Sequence, residues 1–123
     1  MRPLTIMFLL VALPIAAWAG ADCKDPRSRY QDIACASEAL DSADKKLNES
    51  YRALLASMDE DGKAKLREAQ RAWVQFRDAD TALAYQNSGE GGSLGGLIAT
   101  NHKLELTLDR TKQLKEFSKV GGR

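Results

Sequence analysis

Eight side chains, Ile33, Ala36, Leu40, Ala43, Leu47, Tyr51, Leu54 and Met58, recur at steps of three and four. Such steps keep residues on one face of a helix that turns by about 100° per residue, and they do not fit the two-residue alternation of a strand. A long helix with one apolar face must bury it against partners of similar length. Two further segments carry the helical period, and no segment carries a strand pattern. The second helix is expected from about Lys63 to Tyr85. The third is expected from an N-cap at Ser93, with Leu97, Leu104, Leu108 and Leu114 on its apolar face. The chain therefore reads as all-α, a small antiparallel three-helix bundle running up, down, up, with two long helices bracing the third.

Local chemistry suggests the ends of these elements. Asp25-Pro26 offers an acceptor side chain followed by a proline suited to a first helical turn. Asp59-Glu60-Asp61-Gly62 interrupts the first pattern near Met58, and its acids suit the positive end of the second helix. Residues 87–96, NSGEGGSLGG, hold five glycines in ten positions, which reads as a loop or a loop running into a weak helix start. Gly121-Gly122-Arg123 reads as a frayed tail.

The first segment is set apart from the fold. Arg2 is followed by a mostly apolar run from Leu4 to Trp18 and by Ala17-Trp18-Ala19, the pattern of a secretory signal cleaved after Ala19. It is too short and wrongly flanked for a membrane span. Asp22 stands before Cys23, where a lipid-anchored protein needs a small residue. Residues 20–123 are then one helical domain of an exported protein, periplasmic or secreted. The whole sequence has 18 Lys and Arg against 17 Asp and Glu. Loss of Arg2 leaves a balanced chain, which gives no support for nucleic-acid binding. Cys23 and Cys35 remain. An even cysteine count in an exported chain reads as a disulfide stapling the N-terminus to the first helix, with two free thiols as the alternative.

AQRAWVQFRDAD, residues 69–80, sets polar groups on an apolar face. On the helical wheel Leu66, Ala69, Trp73, Phe76 and Ala84 share one side with Gln70, Arg77 and Asp80. Asp44 and Asn101 point inward on their own helices. An unpaired buried charge costs several kcal/mol, on the order of 3–5 when one partner of a pair is removed, so these groups should satisfy one another. Arg77 can pair with Asp80 one turn on or with Asp44 across the bundle. The bland reading of Asp44, Asn48, Gln70, Arg77, Asp80 and Asn101 is a structural polar network that fixes helix register.

Catalytic motifs fare worse. Gly91-Gly92-Ser93-Leu94-Gly95 fits G-x-S-x-G, but the nucleophile elbow needs a strand before the serine, and here a helix precedes it. His102, nine residues on, would fall on the opposite side of the helix from Ser93. One histidine and two paired cysteines do not make a zinc set, and no calcium-loop pattern occurs. Paired carboxylates of the glycosidase kind need a cleft that a small bundle hardly offers. No cofactor and no metal are expected, and the chain is not read as an enzyme.

One run of residues is distinctive. Cys23 and Cys35 are followed by L-N-x-x-Y (Leu47, Asn48, Tyr51), A-Q-R-A-W-V-x-F-R-D-A (Ala69 to Ala79), G-G-S (Gly91 to Ser93) and T-x-x-R (Thr107, Arg110). In this order they resemble the lysozyme-inhibitor LprI-like N-terminal domain family of bacterial exported proteins, from Cys23 to about Phe117. The resemblance implies an all-helical exported domain, with lysozyme inhibition as the activity attached to the family name. It also implies a second cysteine pair at positions held here by Thr81 and His102. Both are changed together, as they would be if they face each other and a bridge was lost as a unit, and a shared hydrogen bond between them is expected.

Two functions follow. The first is a protein that binds and blocks a lysozyme-type muramidase, entering its cleft with residues 88–96. Ser88, Gly89, Glu90, Gly91, Gly92 and Ser93 then form the interaction loop, and Ser93 and main-chain N–H groups donate. Charge near zero gives little steering toward a basic enzyme. The second is a general cell-envelope interaction or immunity-type module on the same scaffold. Either way the expected partner is a protein.

Overall fold

The computed structural model describes residues 23–25 and 28–121. The signal segment 1–19 and the expected cleavage after Ala19 lie outside the described residues, as do Pro26, Gly122 and Arg123. Three helices make up the fold: α1, Arg29–Ala56; α2, Glu60–Asn87; and α3, Gly92–Gly121. No strand occurs among the described residues.

The boundaries follow capping side chains. The first helix starts later than Asp25-Pro26 suggests, because Ser28 caps it and its Oγ accepts from the Gln31 N–H at 3.3 Å. It stops at Ala56, where the Ser57 N–H reaches the Leu54 carbonyl. Asp59 then caps α2 through the Gly62 N–H at 2.8 Å, with Glu60 and Asp61 in the first turn. That cap carries the helix through Gly62, ahead of the expected start at Lys63. Ser93 is not the cap of α3, which begins one residue earlier with the Gly95 N–H bonded to the Gly91 carbonyl.

α1 runs antiparallel to α2, α2 antiparallel to α3, and α3 packs along both, while α1 and α2 touch little. The residues buried along α1 and α3 are mostly small: Ala36, Ala43, Ala99, Thr107 and Thr111. Small side chains at a helix contact permit a short interaxial distance. Two buried threonines need no partner across that contact. Thr107 Oγ1 donates to the Lys103 carbonyl at 2.8 Å, and Thr111 Oγ1 donates to the Thr107 carbonyl at 2.9 Å.

The larger side chains gather at one end, where α1 turns into α2 beside the last turns of α3. Leu47, Leu54, Leu66 and Leu114 form this core, with Tyr51, Leu55, Met58 and Trp73 packed against it. Leu114 is fully buried, which contributes roughly 2 kcal/mol from its apolar area alone. Two expected core positions are surface: Phe76 is 54% exposed and Leu108 is 49% exposed. Ala69 is exposed as well. The buried face of α3 centres on its threonines and Leu114, which turns Leu108 outward.

At the opposite end the core is thin, and a covalent bond reinforces it. Cys23 and Cys35 form a disulfide with their Cα atoms 5.6 Å apart. Closing a loop of that size stabilises by roughly 3 kcal/mol in the chain-entropy account.

Candidate functional site

Because α1 and α2 splay, a groove of about 820 Å³ opens between them. Its α1 wall is Asp44, Leu47, Asn48 and Tyr51, spaced three, four and seven residues from the first. Its α2 wall is Arg67, Gln70, Arg71, Val74 and Arg77, again at helical spacing, with Trp73 inside. The L-N-x-x-Y residues and much of the A-Q-R-A-W-V-x-F-R run therefore face one another across this groove.

Arg77 spans it. Its side chain is 13% exposed, its Nη1 lies 3.4 Å from Asp44 Oδ1, and its Nε donates to Asp78 Oδ1 at 3.0 Å. The guanidinium also lies over the Trp73 ring, 5.1 Å from its centroid. Asp80, the expected partner one turn on, instead meets His102 Nε2 at 2.7 Å. Gln70 Oε1 accepts from Arg110 Nε at 3.1 Å, which ties α2 to α3 behind the groove. Arg110 Nη1 also donates to Gln113 Oε1 at 3.1 Å, and burial pushes the Arg110 pKa below the usual arginine value. Around Asp78, burial pushes the carboxyl up, but Arg77 and Lys103 outweigh that and hold its pKa below the ordinary value.

Two members of the expected network stand apart. Asn101 does not point inward: it is exposed, beside the disulfide end of α1. Asn48 is exposed on the groove wall and joins no polar network. Thr81 and His102 do not bond to one another either, since Thr81 Oγ1 donates to the Arg77 carbonyl at 2.7 Å and His102 takes Asp80.

The expected interaction loop is shorter than residues 88–96. Helix α3 absorbs Gly92 onward, leaving Ser88 to Gly91 as a tight turn. Gly89, Gly91 and Gly92 have φ of 68°, 55° and 54°, a region that side chains disfavour. Ser88 Oγ donates to the Tyr85 carbonyl at 2.7 Å and accepts from the Glu90 N–H at 3.3 Å. Nearby, a Cβ on Gly95 would lie 2.9 Å from the Tyr85 ring, so that ring rests directly on α3. The turn is thus a firm, exposed tip. Ser93 lies in the first turn of α3 and His102 lies nine residues on, roughly 13 Å along the axis at 1.5 Å per residue. They cannot form a catalytic pair.

Sequence reasoning passed over Arg67 and Arg71. Both lie on the groove wall, and among the described residues neither has a carboxylate within ion-pair distance. Their four-residue spacing, in register with Gln70, Val74 and Arg77, is the signal that marks a basic face. No cluster of three or more His, Cys, Asp or Glu able to hold a metal occurs among the described residues. Among them, too, no helix is long and apolar enough to cross a membrane.

Comparison with known proteins identifies a family for the chain. The family model described as lysozyme inhibitor LprI matches residues 23–114, from the first cysteine to the buried Leu114. The chain is also similar to an uncharacterized protein, R02472, of Rhizobium meliloti (strain 1021). The two are 32% identical over 109 residues, covering 78% of each chain. No solved structure matches.

Proposed function

The chain belongs to the lysozyme inhibitor LprI family, and from that premise we propose that it is an exported protein that binds and inhibits a lysozyme-type muramidase. The observation that carries the reading is the family match across the helical bundle, from Cys23 through Leu114. The Cys23–Cys35 disulfide supports export, because such bonds persist in oxidising compartments. Residues 1–19 are its signal, and the working protein is the single domain 20–123, periplasmic or secreted.

The α2–α3 tip, Ser88 to Ser93, enters the enzyme's cleft. Its positive-φ glycines bring main-chain groups close to a surface without side chains in the way. Asp44, Gln70, Arg77 and Asp80 hold the helices in the register that presents this tip. The protein acts by binding and carries out no chemistry of its own.

Lysis of cell-wall suspensions by a panel of lysozymes, titrated with residues 20–123, tests the proposal. Dose-dependent inhibition with one-to-one binding supports it, and full lysis at saturating protein rejects it. The second reading, an envelope interaction module without lysozyme specificity, draws on Thr81 and His102, which depart from the family's second cysteine pair. Capture of a different envelope protein, together with full lysis, would favour it.

A further inference from the structure

Whereas the inhibitor reading concerns the tip at one end of the bundle, the α1–α2 groove has a chemistry of its own. Its walls carry three guanidinium groups and one carboxylate, on a chain whose acids and bases otherwise balance. Arg77 and Asp44 meet one another, whereas Arg67 and Arg71, both exposed, have no ion-pair partner among the described residues. Asn48 and Gln75, also exposed on the rim, make no side-chain hydrogen bond among the described residues. The half-buried rings of Tyr51 and Trp73 and the side chain of Val74 supply apolar surface between these polar groups.

We propose that this groove binds a carboxylate-bearing glycan strand of the cell-wall type. A guanidinium pairs with a carboxylate through two parallel N–H donors, and Arg67 and Arg71 supply that fork. Side-chain amides, each with donors and an acceptor, suit hydroxyl and N-acetyl groups. Aromatic and aliphatic surface suits the C–H faces of sugar rings.

Other occupants fit less well. An extended acidic peptide is held chiefly through main-chain hydrogen bonds, and two helices with internally paired backbones offer it none. A nucleic acid needs many phosphate contacts along a basic tract, and here Arg67 and Arg71 share the groove with the carboxylate of Asp44. The inference goes beyond the inhibitor reading, since it assigns a second ligand to a different face: the polymer that a muramidase cuts.

Calorimetric titration of the full chain, purified from a host that exports it, tests the proposal. Three probes are compared: a muramic-acid-containing tetrasaccharide, chitotetraose, which lacks the carboxylate, and hexaglutamate. The tetrasaccharide is expected to bind at least about tenfold more tightly than chitotetraose, the difference expected from one charged hydrogen-bonded contact. The Arg67→Ala/Arg71→Ala double variant should lose about tenfold for that probe while melting like the wild type, because both side chains are exposed. Absence of binding, equal binding of chitotetraose, a double variant that binds like wild type, or tighter binding of hexaglutamate would each overturn it. None of these measurements involves a lysozyme, so loss of the inhibitor reading leaves this one standing, and the reverse holds.

Discussion

Arg77 reaches across the groove to Asp44 while its guanidinium plane lies over Trp73, so one side chain links α1, the core aromatic and the wall of α2. The contact to Asp44 is long at 3.4 Å, and Asp44 is 40% exposed. The closer carboxylate is that of Asp78, at 3.0 Å. Arg77 therefore holds three contacts at once: the Asp78 carboxylate, the Trp73 ring and, at longer range, Asp44.

Replacing Arg77 separates these parts. Arg77→Ala is expected to cost about 1–3 kcal/mol in urea unfolding, through lost packing and lost charge-assisted hydrogen bonds. Arg77→Lys keeps the charge but loses the planar fork and the stack, and should recover less than half of that. Asp44→Asn should cost about 0.5 kcal/mol or less, since the pair is half in solvent. An alanine variant that unfolds like the wild type would remove the structural role assigned to this residue.

Two buried positions on α3 should respond to very different degrees. Leu114→Ala opens a cavity in the four-leucine core and should cost about 2–5 kcal/mol. Thr107→Val keeps the shape and removes a hydroxyl that bonds only within its own helix. It leaves no orphaned donor, so its cost should stay below about 1 kcal/mol. Thermal melts of the two variants side by side decide this, and a large loss from the valine change would mean that the hydroxyl has a partner across the interface.

Acid should weaken the cluster around Asp78. The folded carboxyl sits below its ordinary value of 3.8 because Arg77 and Lys103 outweigh burial. A depressed carboxylate contributes stability above its unfolded pKa, and that contribution disappears as pH falls through the folded value. With half of the side chain in solvent, the effect should be about 0.5 kcal/mol or less. Asp78→Asn should therefore be the weaker protein at pH 7 and match the wild type at the acid end, as followed by urea midpoints across pH.

Thr81 and His102 offer a constructive test. The resemblance implies a bridge at these positions, and the structure sets them on facing helices, with His102 already bonded to the residue before Thr81. The Thr81→Cys/His102→Cys double variant should oxidise without added catalyst and gain up to about 3 kcal/mol, the chain-entropy value for a loop of about twenty residues. Persistent free thiols in the folded, oxidised protein, counted by mass after alkylation, would show that the helices do not present the two positions to each other.

The helices and their order were legible because apolar spacing and capping acids are local signals: the α1 pattern from Ala36 to Leu54 is the buried face itself. The α3 pattern was read wrongly at Leu108 because Thr107 and Thr111 occupy the interface, and a threonine that satisfies its hydroxyl within the helix looks polar in a sequence while packing as a small apolar residue. The length of the glycine turn was overestimated for a related reason. Glycine costs helix stability, yet packing of Tyr85 on Gly95 repays it, and that packing joins residues far enough apart to escape any local pattern. The groove was illegible as a groove, since it depends on how far α1 and α2 splay. Only its polar walls are marked in the sequence, by Arg77 and Gln70 on an otherwise apolar helix face.

The close pairing of α1 with α3 sets an order for self-assembly. The first helix finds its main partner only after the whole of α2 has been made, so the largest interface has high sequence separation and forms late. A chain truncated before Gly92 would leave Ala36, Ala43 and Leu47 facing water, and α1 with α2 alone would not hold. In the exported protein proposed above, that arrangement would delay commitment to the native state until the last helix arrives, keeping the chain open for transit and letting the Cys23–Cys35 bond close afterwards.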